Sequence, residues 1–240
     1  MIWLVIMAAG LFAGTLGGII GFGATTILMP ILVVAFGPKA AVPIMALAAI
    51  LGNLARVAVW WPVIAWRAVA AYSTPAIVTA WLGVHTMLSL DAQLLEAVLG
   101  VFFIVMIPVR HWFAAGNLRV TLPGLAVAGA VIGFLTGIVA NTGPINTPFF
   151  LAHGLIKGPF IATEAAASLA MFTSKSTAFW AFGALPWEVF LNGLLVGSSL
   201  MLGAWIAKRF IQQMDAKVFG NLIDLLLFVA GAAMIVSAIY

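Results

Sequence analysis

Two long uncharged runs dominate the pattern of apolar and polar positions along the chain. The first covers Ile2 to Phe36 and the second covers Val120 to Ile156, and neither contains Asp, Glu, Lys or Arg. As straight helices rising about 1.5 Å per residue they would measure roughly 52 and 55 Å. The hydrocarbon core of a bilayer is only about 30 Å thick. Each run is therefore too long for one membrane crossing and is expected to break.

Small, polar and helix-breaking residues lie in the middle of each run. The first run carries the Gly-rich stretch Gly17 to Thr26, followed by Pro30, and the second carries Asn141 to Pro148. Non-helical backbone at membrane depth is tolerated only where it is buried in protein or lines a cavity. We therefore expect the second run to break near Asn141 and restart near Asn146, and we expect the functional site at the two breaks.

The rest of the pattern predicts further membrane helices. In the first half they cover about Ala40 to Trp61, Ala68 to Leu88, and a stretch that ends near Phe113 and has Asp91 as its N-cap. The composition, 65% hydrophobic and 7% charged, excludes an ordinary soluble domain. The chain start lacks the positive region of a signal peptide, so the first run is expected to be retained. The chain has no Cys, which excludes disulfides and Cys metal sites.

The second half of the chain repeats the plan of the first. Lys39 matches Lys157 at an offset of 118, Arg56 matches Lys175 at 119, and Trp81 matches Trp205 at 124. The offset grows in one direction, as small loop insertions would make it. The sequence therefore predicts two membrane repeats, residues 1–116 and residues 117–240.

The distribution of Lys and Arg indicates how the repeats lie in the membrane. If each broken run crossed fully, the loop cations would divide five against three between the two sides. If each run instead enters halfway and returns, seven lie on one side and only Lys39 lies opposite, as the positive-inside rule expects. The seven are Arg67, Arg110, Arg119, Lys157, Lys208, Arg209 and Lys217. We therefore predict an all-α integral membrane protein of two inverted repeats, each a broken re-entrant helical hairpin plus three transmembrane helices, with both termini outside.

Polar residues at the breaks and cations inside the predicted spans form the candidate site. Arg56 and Lys175 are intramembrane cations, which mark function by default, although long cationic side chains can also snorkel to an interface. The half-helix N-termini would add partial positive charge, which suits a small anion. For the Asn and Thr residues, ordinary N-capping is the alternative. The candidate substrate-binding residues are Gly23, Thr25, Thr26, Asn53, Arg56, Asn141, Thr142, Gly143, Asn146, Thr147 and Lys175.

Other titratable residues carry weaker expectations. Glu164 lies eleven residues before Lys175, roughly 16 Å along a helix, so the two cannot pair directly. It is either a proton-coupling carboxylate or, more simply, an acid at the membrane interface. His85 and His153 have no second ligand at metal spacing, so neither a metal site nor a cofactor is expected. Enzyme motifs such as HExxH, a Walker loop or GxSxG are missing, and a pairing of Ser168 with His153 has no support from their placement.

The paired Gly-rich segments give the chain a family resemblance. Each half opens on such a segment ending in Pro, namely Gly14-x3-Gly18-x2-Gly21-x-Gly23-x6-Pro30 and Gly133-x3-Gly137-x3-Asn141-x-Gly143-x4-Pro148. The pattern resembles the TauE/SafE family of sulfite and organosulfonate exporters over nearly the whole chain, including Gly203-Ala204-x-Ile206 before Arg209. This sequence departs from the family in having Ala24-Thr25-Thr26 after the first break, where further glycines are usual.

The expected function is a secondary transporter that moves a small anion, such as sulfite or an organosulfonate, by alternating access. An anion channel of the same architecture and a non-transporting membrane subunit are the alternatives. The expected partners are the small anion, the lipid bilayer and a coupling ion, either H⁺ or Na⁺, and no nucleic acid. The expected location is a bacterial-type inner membrane. The sequence does not indicate the oligomeric state.

Overall fold

A computed structural model of the chain describes residues 2–20, 24–115, 119–139 and 142–207, together with residues 225, 228, 231, 232, 235 and 236. In these ranges all of the regular structure is helical. The α-helices are Ile2–Ile20 (α1), Ala24–Phe36 (α2), Pro38–Trp60 (α3), Trp66–Ser89 (α4), Ala92–Ala115 (α5), Leu122–Ile138 (α6), Gly143–Ala152 (α7), Lys157–Ala181 (α8) and Trp187–Ala207 (α9), and a 3₁₀ turn, Trp61–Val63, follows α3.

Three segments of this described part are long and apolar enough to cross a membrane by length and composition. They are Pro38–Val63, Ala92–Val109 and Trp187–Ile206. In contrast, α2 has 13 residues and α7 has 10, which correspond to roughly 20 and 15 Å of helix. Neither α2 nor α7 is long enough to cross a bilayer of about 30 Å alone.

The first uncharged run folds back on itself. It is helical from Ile2 to Ile20 and again from Ala24 to Phe36. The ring of Trp3, in the first turn of α1, lies 5.6 Å from the ring of Phe36, the last residue of α2. Because the start of α1 and the end of α2 are neighbours, the two helices form an antiparallel hairpin.

The second run folds back in the same way. The backbone N–H of Val120, just before α6, donates to the carbonyl of Ala152 at the end of α7 over 3.0 Å. The ring Nδ1 of His153 lies 2.8 Å from the Val120 carbonyl oxygen. The two ends of the run therefore meet, as they do in the first half.

The prediction that the second run breaks near its middle is confirmed, but the predicted position of the restart was wrong by one turn. Helix α6 ends at Ile138, and α7 starts at Gly143 rather than near Asn146. Pro144 explains the earlier start, because proline is well suited to the first turn, where its missing N–H is not needed. Asn141 itself lies outside the described residues.

The predicted helices of the first half are confirmed to within about two residues of their ends. The N-cap predicted for Asp91 is also present, since its side-chain Oδ1 accepts the N–H of Leu94 over 2.7 Å. Helix α3 starts two residues before the predicted Ala40. Gly37, with φ of 75°, turns the chain and is followed by Pro38 in the first helical turn.

Helices α3 and α8 form the centre of the molecule. Residues 41–49 of α3 and residues 160–168 of α8 are buried without interruption, and the two helices pack against each other. A helix that is buried on all sides lies in the core rather than at a surface. The charged candidates Arg56, Glu164 and Lys175 are carried by these two helices.

The outer helices pack in two corresponding pairs, α1 with α9 and α4 with α6. At the first contact, a Cβ on Gly14 would lie 2.8 Å from the Cα of Leu200. At the second, a Cβ on Gly133 would lie 2.6 Å from the Cα of Ala76. Gly14 and Gly133 differ by 119 and Ala76 and Leu200 by 124, which are two of the offsets that relate the half-sequences. Each half thus packs its first helix on a later helix of the other half.

Candidate functional site

Lys175 holds the broken end of α6. Its side chain is completely buried, and its ammonium group donates to the backbone carbonyls of Thr136 and Val139, the latter over 2.8 Å. The last carbonyls of a helix have no intrahelical partner and carry a partial negative charge. A buried cation at this position donates hydrogen bonds to these carbonyls and offsets their partial negative charge. The ammonium group also lies 5.6 Å from the ring centre of Phe179.

Two threonines join the facing ends of α6 and α7. The hydroxyl of Thr136 donates to the carbonyl of Ile132 over 2.7 Å and is hydrogen-bonded to the hydroxyl of Thr142. Since the Thr136 proton is already donated, Thr142 is the donor in this second bond. Thr142 is the N-cap residue of α7, but its side chain makes no capping bond. Its hydroxyl thus connects the two half-helices.

Arg56 of α3 pairs with Glu164 of α8 across the centre of the molecule. The guanidinium Nη1 lies 3.2 Å from Oε2 of the carboxylate, and the side chains are only 14% and 3% exposed. The other terminal nitrogen of Arg56 donates to the side-chain oxygen of Asn53, one turn earlier on α3. Ser168 donates to Oε1 of Glu164 over 2.7 Å. The ion pair is therefore buried and held in place from both helices.

The pair extends to the second break through Asn146 and Tyr72. The hydroxyl of Tyr72, on α4, donates to Oδ1 of Asn146 over 2.7 Å, and the side chain of Asn146 lies beside the Glu164 carboxyl. Because the oxygen of Asn146 accepts from Tyr72, its amide nitrogen is the group that can face the carboxylate. One buried network therefore contains residues of α3, α4, α7 and α8.

The helix α7 links this network to the lysine. Thr142 and Asn146 are four residues apart, on one face of α7, roughly 6 Å apart along its axis. Thr142 faces the α6 end that binds Lys175, and Asn146 faces Glu164. Glu164 and Lys175 do not pair, as the sequence predicts from their spacing. With Glu164 ionised, the formal charges of Arg56, Glu164 and Lys175 sum to +1.

Several alternatives weighed from the sequence are wrong. Glu164 is not an interfacial acid, because it is buried in an ion pair. Arg56 and Lys175 do not snorkel, because their charged groups bind partners inside the helix bundle. Asn146 is not an N-cap, because its side chain bonds Tyr72 three residues inside α7. Ser168 and His153 do not form a pair, since they bond Glu164 and Val120 respectively.

The structure brings together some of the predicted residues and not others. Asn53, Arg56, Thr142, Asn146 and Lys175 lie in or beside the network. Gly143 is buried at the start of α7, while the Thr147 hydroxyl donates to the Gly143 carbonyl over 3.0 Å. Thr25 is buried in the first turn of α2. Gly23, Asn141 and the side chain of Thr26 lie outside the described residues.

Sequence reasoning missed three polar members of the site. Tyr72, one of only two tyrosines in the chain, is fully buried in an apolar helix. Ser168 lies one helical turn after Glu164, a spacing that places the two on one face. Thr136 lies six residues before Thr142, across the break. The four-residue spacing of Glu164 and Ser168 was visible in the sequence, but the partners of Tyr72 and Thr136 depend on tertiary contacts.

Comparison with known families decides what kind of protein carries this network. The family described as "Sulfite exporter TauE/SafE" matches residues 6–234 of the 240-residue chain. The chain belongs to the TauE/SafE family. No curated protein and no solved structure matches it.

Membership of the TauE/SafE family confirms the resemblance seen in the Gly-rich segments. It identifies a multi-pass membrane protein of an exporter-type transporter family and not an enzyme. The family relation supports a small anion as substrate. The buried network at the second break is therefore the candidate transport site.

Proposed function

We propose that this TauE/SafE protein is a secondary transporter that carries a small anion, such as sulfite or an organosulfonate, by alternating access. The observation that carries the proposal is the network in which Arg56 pairs with Glu164, beside Asn146 of the broken second hairpin. A buried guanidinium gives a planar, forked donor that suits a two- or three-oxygen headgroup. The proposed substrate site lies between Arg56 and the α7 N-terminus.

The helix order supports inverted repeats around this site. Three helices of 23 to 24 residues, α3, α4 and α5, separate the two hairpins. Each is roughly 35 Å long, which by length alone matches the hydrocarbon core of about 30 Å. After three crossings, the second hairpin enters from the side opposite the first. The paired contacts of α1 with α9 and of α4 with α6 fit the same two-fold plan.

The two buried cations have different roles in this proposal. Lys175 stabilises the end of α6 and contributes its positive charge near the α7 N-terminus. Arg56 would bind the anion directly, since its carboxylate partner can be exchanged for a carboxylate-like substrate. The remaining predicted residues, Gly23, Thr25 and Thr26, would complete the site from the first break.

Glu164 competes with the substrate for Arg56, and this competition supplies a route for proton coupling. When Glu164 is ionised, the Arg56 guanidinium is paired with it and is less available. When Glu164 takes up a proton, its charge disappears and Arg56 becomes available to the anion. Ser168, Asn146 and Tyr72 surround the carboxyl and are not charged at neutral pH. H⁺ rather than Na⁺ is therefore the proposed coupling ion.

Labelled sulfite uptake into proteoliposomes tests this function. We expect unlabelled sulfite inside the vesicles to accelerate the entry of labelled sulfite, since a carrier returns faster when loaded. A pH difference across the vesicle membrane should also drive sulfite accumulation when the membrane potential is zero. Uptake that follows membrane potential alone, with no acceleration by internal sulfite, would establish a channel instead. The absence of any anion flux from well-folded protein would contradict the transport proposal.

A further inference from the structure

A cavity with no charged lining lies on another face of the bundle, between α3, α8 and α9. Its volume is ≈ 590 Å³, within the range of about 300–1,000 Å³ that small-molecule sites occupy. Leu47 and Ile50 line it from α3, Ser176 and Trp180 from α8, and Trp187 and Phe190 from α9. None of the Arg56, Glu164 and Lys175 side chains contributes to this lining, so the cavity is distinct from the proposed anion site.

Ser176, one of the residues that line the cavity, carries an unused polar group. Its hydroxyl is buried and has no hydrogen-bond partner among the residues that the structure describes. The other hydroxyls of α8 are all bonded, including Thr173 to the Leu169 carbonyl and Thr177 to the Ser174 carbonyl. A buried hydroxyl without a partner is costly. The cavity therefore suits an occupant that accepts one hydrogen bond and is otherwise apolar.

Two tryptophans at one end of the cavity indicate where that occupant would lie in the membrane. Trp180, in the last turn of α8, is 73% exposed, and Trp187, the first residue of α9, is 70% exposed. Exposed tryptophans of membrane proteins concentrate at the level of the lipid headgroups. Ser176 lies one turn deeper than Trp180, roughly 6 Å along the helix. This places its hydroxyl just inside the headgroup layer.

We propose that this cavity binds one phospholipid of the surrounding bilayer. An acyl chain lies in the cavity between α8 and α9, against Leu47 and Ile50 of α3 and Phe190 of α9. An ester carbonyl of the same lipid accepts the Ser176 hydroxyl, and the headgroup lies beside Trp180 and Trp187. The uncharged lining excludes the headgroup phosphate from the cavity itself. The bound lipid fills the gap between the central helix α8 and the outer helix α9.

Native mass spectrometry of the full chain, with palmitoyl-oleoyl phosphatidylethanolamine added to the detergent micelles, tests the lipid site. We expect one phospholipid to stay bound at collision energies that remove the others. Ile50→Trp fills the cavity and should abolish this tightly held lipid. Val34→Trp introduces the same side chain at an 87% exposed position of α2 and should retain it.

Ser176→Ala provides a second, milder variant in case Ile50→Trp disturbs folding. Loss of one neutral hydrogen bond should weaken phospholipid binding by roughly two- to tenfold, and Ser176→Thr should restore it. Equal lipid retention by the wild type, Ile50→Trp and Ser176→Ala would show only non-specific annular lipid. That result would overturn the lipid site without affecting the anion proposal, because anion flux is measured separately.

Discussion

At the scale of single residues, Arg56 and Lys175, which the sequence predicts to be repeat-equivalent, neutralise their charges differently. Arg56 uses the carboxylate of Glu164 and the side chain of Asn53. Lys175 uses two backbone carbonyls at the end of α6. Removing one member of a buried ion pair commonly costs about 3–5 kcal/mol, because the other charge remains without compensation. The proposed transport role would give the Arg56–Glu164 pair a function that a purely apolar contact could not supply.

Glu164→Gln tests the competition between the carboxylate and the substrate. The change keeps the side-chain shape and removes the negative charge, so Arg56 should bind sulfite more tightly than in the wild type at neutral pH. In the wild type, sulfite binding should strengthen as the pH falls, because protonation of Glu164 releases Arg56. The variant should lose most of that pH dependence. Isothermal titration over a pH series measures both effects.

Glu188→Gln is the matched control, since Glu188 is exposed at the start of α9. It should keep the wild-type affinity and pH dependence. If Glu164→Gln retains the wild-type pH profile, proton coupling through Glu164 is contradicted.

The sequence predicted the charged and amide residues of the site better than it predicted their partners. A cation within a membrane span is rare and indicates function. The match of Arg56 with Lys175 in the sequence repeat strengthened the prediction that both belong to the site. The role of Lys175 at the α6 carbonyls could not be predicted, because it depends on where α6 ends. The burial of Glu164 was missed because its pairing with Arg56 joins residues 108 positions apart.

At the scale of helices, the close packing of α4 against α6 depends on glycine. Gly129 faces α4 so closely that an added Cβ would lie 2.9 Å from the carbonyl carbon of Tyr72 and would overlap its oxygen. The α4–α6 contact thus depends on a missing side chain, as is common where membrane helices pack closely. Tyr72 also bonds Asn146, so this packing positions the site.

Gly129→Ala should therefore destabilise the protein even though alanine favours helix formation. The added methyl group must separate α4 from α6, because the nearest atoms belong to backbone. We expect thermal unfolding in detergent at a clearly lower temperature and weaker sulfite binding. Gly52→Ala is the control, since its Cβ would meet Leu200 Cβ at an ordinary 3.7 Å. A Gly129→Ala protein as stable as Gly52→Ala would show that the contact tolerates a larger separation.

The ends of some helices could be predicted from the sequence more closely than those of others. The ends of α3, α4 and α5 were predicted closely, because the cations Lys39 and Arg67 and the N-cap Asp91 mark the connections before these helices. The restart of α7 was misplaced by one turn, because Asn and Thr residues occur at several positions between residues 141 and 147. Any of them could cap a helix, and only the Pro144 position favoured the earlier start.

At the scale of the whole molecule, the charge distribution and the helix order lead to the same proposed topology. In this proposal, two hairpins separated by three crossings enter from opposite sides, and all but one of the cations counted from the sequence would then lie on one side. The family relation adds that the molecule is a transporter, which composition alone could not show. The C-terminal cations and the boundaries of residues 1–116 and 117–240 stay predictions from the sequence.

Reporter fusions test the proposed topology. We expect both termini outside the cytoplasm, so a C-terminal alkaline phosphatase fusion should be active and a C-terminal green fluorescent protein should be dark. A fusion in the connection between α5 and α6 should give the opposite pattern. An inactive phosphatase and a bright fluorescent protein at the C-terminus would contradict the inverted arrangement of the two halves.

Thermal stabilisation by a panel of small solutes tests the central proposal, a small-anion site at Arg56, most directly. The panel contains sulfite, a short sulfonate, a carboxylate, an amine and a neutral diol. We expect the anions alone to raise the unfolding temperature of the purified protein in a concentration-dependent manner. Arg56→Gln should abolish the shift, whereas Arg67→Gln, at an exposed position in the first turn of α4, should preserve it. Stabilisation by the amine or the diol but by none of the anions, or an undiminished anion shift in Arg56→Gln, would contradict the account.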